Sequence, residues 1–324
     1  MRLIFMGTPA FAVPTLEACL EAGHEVAAVF TQPDRPKGRG GELAQSPVKQ
    51  CALAHSLPIH QPPRVRHPEV VEQIRAIAPR AIVVVGYGQI IPQSIIDIPA
   101  LGILNVHASL LPFYRGAAPI QWAVANGEIE TGVTIMRIDA GLDTGDILLK
   151  ESTLIGRDEP APVLSSRLAA IGAALLIEAL RGLDAGTITP VPQDHSIATL
   201  APILKKEDGR IDWSLPAQTI YNRLRGFTPW PGASTTFRGQ QLYIQSARLA
   251  ADPTAPTTTA LATAAPGTLL PAVPARNRLS VACGSGTALE ILELQLEGRK
   301  RVNAAAFLNG QRLHDNERLG DSPL

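Results

Sequence analysis

Short runs that are wholly or largely apolar, separated by stretches with helical spacing, constrain this chain more than any other feature. Leu3–Met6, Val26–Thr31, Ala81–Val85 and Ile103–His107 are such runs, and helical patterns cover Pro14–Ala22, Pro47–His55, Pro68–Ala78 and Ala118–Asn126. A strand with one wet face alternates apolar and polar residues, whereas a run apolar throughout is covered on both faces. Alternation with helices therefore predicts an α/β domain with a mostly parallel sheet. Val133–Ile138 and Ile147–Leu149 extend the strand series, and Ala161–Arg181 reads as a long helix.

Beyond that helix the pattern changes. Gly182–Ala201, rich in Gly, Pro and Thr, reads as a connecting stretch. Phe237–Ser246, Gly267–Leu270, Leu279–Ala282 and Ala288–Gln295 then follow as strands, spaced as in a small antiparallel barrel. The Ala/Thr/Pro-rich Ala250–Ala265 between two of them reads as a disordered surface loop. A chain of 324 residues is long for one core, and the divisions expected are a first domain over 1–189, a linker over 190–207 and a second domain over 208–316. Formal charge is zero overall, slightly acidic before residue 200 and slightly basic after it. That bias suits a polyanion partner and suits an ordinary solvated surface equally well. Cys19, Cys51 and Cys283 show no CxxC spacing, so neither a zinc site nor a disulfide framework is indicated and no metal is expected. The N-terminus enters a strand-like run without a signal-peptide layout, and no apolar stretch is expected to reach membrane-spanning length; a cytoplasmic monomer is the expectation.

Function concentrates in the loops beyond strand ends in such sheets. Gly7-Thr8-Pro9 follows the first strand but keeps only one glycine of the dinucleotide fingerprint, so it either meets some other ligand or simply turns the chain. Asn105 and His107, two apart at the end of a strand, project to one side. A lone strand-end His is more often structural, and the Gly-bracketed loop Gly141–Asp146 is by itself an ordinary Asp turn. Together the two segments say more. An Asn amide can donate to a developing oxyanion, worth about 10²–10³ in rate; His can take a proton from an attacking amine, worth about 10²–10⁴; Asp143 can orient the imidazole. With no G-x-S-x-G and no suitably placed Cys, the set suits direct transfer of a carbonyl group to nitrogen.

Asn105–Pro112, Tyr114–Gln121, Thr131–Met136 and Gly141–Asp146 together resemble the folate-dependent formyltransferases. The resemblance implies that Asn105, His107 and Asp143 are the catalytic set. It further implies that Ser109, Leu110, Leu111 and Pro112 line the site of the co-substrate 10-formyltetrahydrofolate. It also implies a Rossmann-like formyltransferase domain followed by an OB-like β-barrel. Phe30–Gly40 with Ser46–Lys49, Lys205–Trp213 and Phe227–Ala233 resemble in particular the family members whose acceptor is initiator methionyl-tRNA. That likeness implies a tRNA-binding second domain, a role in translation initiation, and tRNA contacts from Arg35, Lys37, Arg39, Lys205 and Lys206. Arg35, Lys37, Arg39 and Lys49 surround glycines and prolines, a pattern of mobile positive charge that can order on RNA. Departures from the family pattern are Ala10 for an acidic residue, Phe113 for a basic one, and Leu200 and Ile203 for Tyr and Lys.

Overall fold

The apolar runs come together as the centre of a seven-stranded sheet in the computed structural model, which describes residues 1–37, 42–250, 264–270, 278–314 and 317–320. The elements as far as residue 201 are, in chain order, β1 (Arg2–Gly7), α1 (Val13–Glu21), β2 (Glu25–Phe30), β3 (Arg35–Lys37), β4 (Glu42–Ala44), α2 (Pro47–Ala54), β5 (Ile59–His60), α3 (Pro68–Ile77), β6 (Ala81–Val85), α4 (Gln93–Ile96), β7 (Ile103–His107), β8 (Arg115–Gly116), α5 (Pro119–Ala125), β9 (Glu130–Arg137), β10 (Ile147–Leu154), α6 (Ala161–Asp184) and β11 (Leu200–Ala201). The sheet order is β10-β9-β7-β6-β1-β2-β5. From β5 to β7 all neighbours are parallel; β9 runs antiparallel to β7, and β10 to β9.

Each face of this sheet has its own cover. Residues two apart share a face, and Ile4, Met6, Ala28, Phe30, Ile82 and Val84 join Val70, Val71 and Ile74 of α3 in one buried cluster. Those α3 positions form a single apolar stripe, and Ala78, with a φ of 52°, ends the helix just before Pro79. The opposite face is covered by α6. There Gly172 approaches so closely that a Cβ would lie 2.6 Å from Val106 Cγ1 and 3.3 Å from Val133 Cγ1. This 24-residue helix corrects one expectation: by length and composition alone it could cross a membrane. With 50% of its most apolar window buried and Gly172 against two strand valines, it is instead a core helix of the sheet.

Contacts divide the chain into two compact units: Met1–Ile120 with Glu130–Ile155 and Val163–Pro202, and Gln121–Ile129 with Gly156–Pro162 and Ile203–Leu324. Much of the stretch read as a linker is thus built into the first unit. Val191 and Ile147 exchange backbone hydrogen bonds, and β11 pairs in parallel with β8. The basic segment after β2 is likewise not all loop, since β3 and β4 form a hairpin on either side of residues 38–41.

The second unit contains α7 (Ala217–Phe227), β12 (Ala233–Phe237), β13 (Gln240–Leu249), β14 (Leu269–Leu270), β15 (Leu279–Cys283), β16 (Thr287–Leu296), β17 (Val302–Asn303) and α8 (Ala304–Gly310). Its six-stranded antiparallel sheet has the order β12-β13-β16-β15-β14, with β17 on β16. Ala217, Ile220, Tyr221 and Leu224, at the i, i+3, i+4, i+7 spacing of one helix face, join its core. The single strand expected over Phe237–Ser246 is interrupted. Arg238 and Gly239 take φ of 49° and 75°, and two residues of positive φ make the tight turn between β12 and β13. Of the low-complexity segment Ala250–Ala265, residues 251–263 lie outside the described residues.

Gly172→Val tests the close approach of α6. Forcing a branched side chain against Val106 is expected to lower the unfolding free energy by about 1–3 kcal/mol. Urea denaturation should show a reduced midpoint at an unchanged slope; an unchanged midpoint would contradict this packing.

Candidate active site

Asn105 and His107 lie on β7, whose neighbours on both sides fix its alternation, and they project from the same face. Asp143 comes from the connection between β9 and β10. Register places the start of that connection beside the beginning of β7: Arg137 pairs with Leu104, and the Ile138 N–H donates to the Ile103 carbonyl. To reach Asn105 and His107, the loop turns back over the sheet face. Its backbone permits this at particular residues. Asp143 has a φ of 50°, a left-handed conformation that Asp adopts more readily than most residues. A Cβ on Gly145 would collide with the Arg137 carbonyl, and one on Gly141 with the Thr144 side chain.

The carboxylate of Asp143 then joins three segments. Its Oδ1 accepts from Asn105 Nδ2 at 3.3 Å. Its Oδ2 accepts from the Gly116 N–H at 2.9 Å and stands 3.6 Å from His107 Nδ1, beyond hydrogen-bond distance. The other ring nitrogen, Nε2, donates to the Tyr114 carbonyl at 3.0 Å, which fixes the buried ring and turns Nδ1 toward the carboxylate. The second N–H of the Asn105 amide has no partner among the described residues.

Two further residues hold the loop, and local sequence gave no sign of one of them. Gln193, buried within the stretch read as a linker, donates through Nε2 to the Asp143 carbonyl at 2.9 Å and the Gly145 carbonyl at 2.7 Å. Its Oε1 accepts from Arg115 Nε and Nη2 at 3.2 and 2.6 Å, and Arg115 Nη2 also donates to His195 Nδ1 at 3.0 Å. Nothing around Gln193 in the sequence separates it from a solvated polar residue; only its long-range partners do.

The segment Ser109–Pro112 leaves β7 directly and is largely buried, with a cis bond between Leu111 and Pro112. Thr134 on β9 pins it: its hydroxyl donates to the Ser109 carbonyl at 2.7 Å and accepts from the Leu111 N–H at 3.1 Å. Lys150 Nζ donates to the Leu111 carbonyl at 3.3 Å. Leu110 is half-buried and packs near Gly132. The Ser109 hydroxyl is committed to the Phe113 carbonyl at 2.6 Å. No thiol is primed either. Burial pushes Cys19 and Cys283 up to about 12 and raises Cys51, so none is a thiolate at neutral pH. The arrangement offers an amide donor, an imidazole and a carboxylate, without an activated nucleophile.

The cations expected to meet RNA fare differently from one another. Arg35, Lys205 and Lys206 are exposed. Lys37 ends β3, and Arg39 lies outside the described residues. Lys49 is not a free charge. Its Nζ lies 2.5 Å from Asp34 Oδ2, and that hydrogen bond, with a second from Gln61, holds the Asp34 carboxyl below its usual range. Phe113, Leu200 and Ile203 are exposed. One group of ligand-type atoms, on Glu17, Cys51 and His55, gathers within 4.8 Å; two of the three residues are exposed, and such groups occur without an ion.

The family model "Formyl transferase" matches residues 1–180, and "Formyl transferase, C-terminal domain" matches residues 203–312. A methionyl-tRNA formyltransferase of Solibacter usitatus is 64% identical over 324 residues, covering 100% of both chains. One from Koribacter versatilis is 56% identical over 321 residues, covering 99% of each. Among solved structures, an N-formyltransferase from Helicobacter canadensis, in complex with folinic acid and dTDP-3-aminofucose, shares the fold at a TM-score of 0.64 and 16% identity. The likeness covers 89% of this chain and 98% of that one. HypX from Aquifex aeolicus in complex with tetrahydrofolic acid gives 0.61 at 18% identity, over 95% of this chain and 47% of that one.

Thr134→Val keeps the shape of the side chain and removes both hydrogen bonds that pin the Ser109–Leu111 backbone. It should cost about 1–3 kcal/mol by leaving buried groups unpaired, measured as a lowered midpoint in denaturant; wild-type stability would show that the pin is idle.

Proposed function

The chain belongs to the formyl transferase family, and from that membership and the geometry around Asp143 we propose that it transfers the formyl group of 10-formyltetrahydrofolate to the α-amino group of methionyl initiator tRNA. The product is N-formylmethionyl-tRNA, used in translation initiation. The observation that carries this reading is that the loop residue Asp143 meets Asn105 and His107 over one sheet face, with no activated Ser or Cys beside them among the described residues.

The donor set fits a formyl-bearing folate: an uncommitted amide N–H stands on the strand that holds the imidazole. When bound, 10-formyltetrahydrofolate supplies the formyl carbon. Asn105 gives its spare N–H to the negative charge that develops on the formyl oxygen, where it counts most. His107 is held by Tyr114 at Nε2, so Nδ1 is the atom that takes the proton from the attacking amine. Asp143 lies beside Nδ1 and balances the charge that the ring then carries. As the bond between the formyl carbon and the folate nitrogen breaks, the departing tetrahydrofolate takes up that proton and His107 returns to its neutral form. Direct attack needs no enzyme-bound acyl group, in keeping with the committed Ser109 hydroxyl.

Around this centre, Ser109, Leu110, Leu111 and Pro112 are assigned to the folate, and Arg35, Lys37, Arg39, Lys205 and Lys206 to tRNA phosphates. Residues 1–189 are read as the catalytic domain and 208–316 as the tRNA-binding domain, whose antiparallel sheet we take as OB-like. The enzyme is read as a cytoplasmic monomer.

Asn105→Ala and His107→Ala should each lower kcat by about 10²-fold or more while far-UV circular dichroism and the melting temperature stay near wild type. Full formylation of methionyl-tRNA by both variants would sink the assignment. Affinity for tRNA should fall steeply between low and high salt as phosphate contacts are lost, while folate affinity changes little. A flat salt response in a binding titration would remove the phosphate contacts from the proposal.

A further inference from the structure

We propose that Gln193 is a positioning residue for the formyl transfer proposed above, holding the turned-back loop so that the Asp143 carboxylate stands beside His107. The inference rests on that functional reading and goes beyond it, since the hydrogen bonds of Gln193 go to Arg115, Asp143 and Gly145 and not to His107 or Asn105.

The geometry makes the amide of Gln193 an adapter between two backbone carbonyls and one guanidinium. Its NH2 group donates to the carbonyls of Asp143 and Gly145, on either side of Thr144. Its oxygen takes both donors from Arg115, itself buried. An amide is the side-chain group that does both at once. A carboxylate would accept from Arg115 but repel the two carbonyls, and an ammonium would donate to the carbonyls but repel the guanidinium. Arg115 is also placed by its own backbone, because its N–H donates to the Thr199 carbonyl and β8 pairs with β11. The next residue, Gly116, gives its N–H to Asp143 Oδ2, so one short strand grips the loop twice: through Gln193 at the backbone and directly at the carboxylate. Gly116 has a φ of 120°, and a Cβ there would stand 2.7 Å from the Ala201 carbonyl oxygen, so its backbone is closely confined.

The loop needs such a hold. Asp143 sits at positive φ on a segment that leaves the sheet beside Ile103 and must reach back to His107. Released from Gln193, the segment keeps its anchors at β9 and β10 but loses the bonds that fix its middle. A displacement of about 1 Å at a reacting group costs about 10²-fold in rate.

Two variants and a cycle test this. Gln193→Glu keeps the acceptor for Arg115 and loses the donors to the loop; Gln193→Met removes both. Each should lower kcat for methionyl-tRNA formylation by about 10–100-fold, with KM for 10-formyltetrahydrofolate and for the tRNA within about threefold of wild type. Each is then combined with Asp143→Asn. If Gln193 acts through Asp143, its replacement in that background should change kcat by less than about threefold, because coupled residues do not add. The proposal is overturned by full kcat in Gln193→Glu, by a loss that resides in KM, or by an equal fractional loss in the Asp143→Asn background. Should Gln193→Met fail to fold, Gln193→Glu still decides, as its Arg115 pair is retained. A wild-type enzyme without formyl transfer would overturn the functional reading itself, an outcome distinct from an active wild type with an indifferent Gln193.

Discussion

The site depends on one carboxylate being held where its own loop would not place it. Asp143 belongs to a hairpin connection that leaves the sheet near the beginning of β7, yet it meets Asn105 and His107 further along that strand. Three things make this possible: a left-handed φ at Asp143, a Gly at 145 pressed against Arg137, and hydrogen bonds from Gly116 and Gln193. Each fixes a different part of the loop, so the carboxylate is set by the backbone beneath it and not only by its own side-chain contacts.

The sheet provides the rigid side of this arrangement. β7 lies between β6 and β9, with α6 pressed on the face away from the site through Gly172. Burial on that face leaves Val106 no room to move, and the strand's alternation then fixes Asn105 and His107 on the other. A loop brought to a fixed strand needs to be ordered at one end of the contact only. Placing two of the three groups on a strand reduces the entropy that the site must overcome to form.

Much of this was legible in the chain. The strand at Ala81–Val85 ends where its apolar run ends, because a strand covered on both faces declares itself in every residue, and Ile103–His107 keeps the apolar residues of such a strand at Ile103, Leu104 and Val106. Asn105 and His107 followed from the period of two. What stayed hidden was long-range. The two-residue strands β5, β8 and β11 are too short to show a period, and Gln193 looks like any polar residue between Pro192 and Asp194. The helix α7 does carry the spacing of a helix face at Ala217, Ile220, Tyr221 and Leu224, but it is a short signal beside the strand patterns that follow it. The basic segment after β2 shows its charge in the sequence but not its pairing, since Asp34, which neutralises Lys49, lies 15 residues before it.

The division of the chain into two units has a bearing on how the protein is made. Gln121–Ile129 and Gly156–Pro162 belong with the residues after 202, so the backbone passes between the units repeatedly before the first is finished. Within the second unit, Trp122 meets Phe227 edge to face, and Arg225 caps the carbonyls of Gly156 and Glu159. A ribosome therefore delivers parts of the second unit while the first is still incomplete, and residues 217–227, which those parts contact, follow later. Contacts so distant in sequence slow folding, and they make completion of the second unit wait for a helix translated about 100 residues after α5.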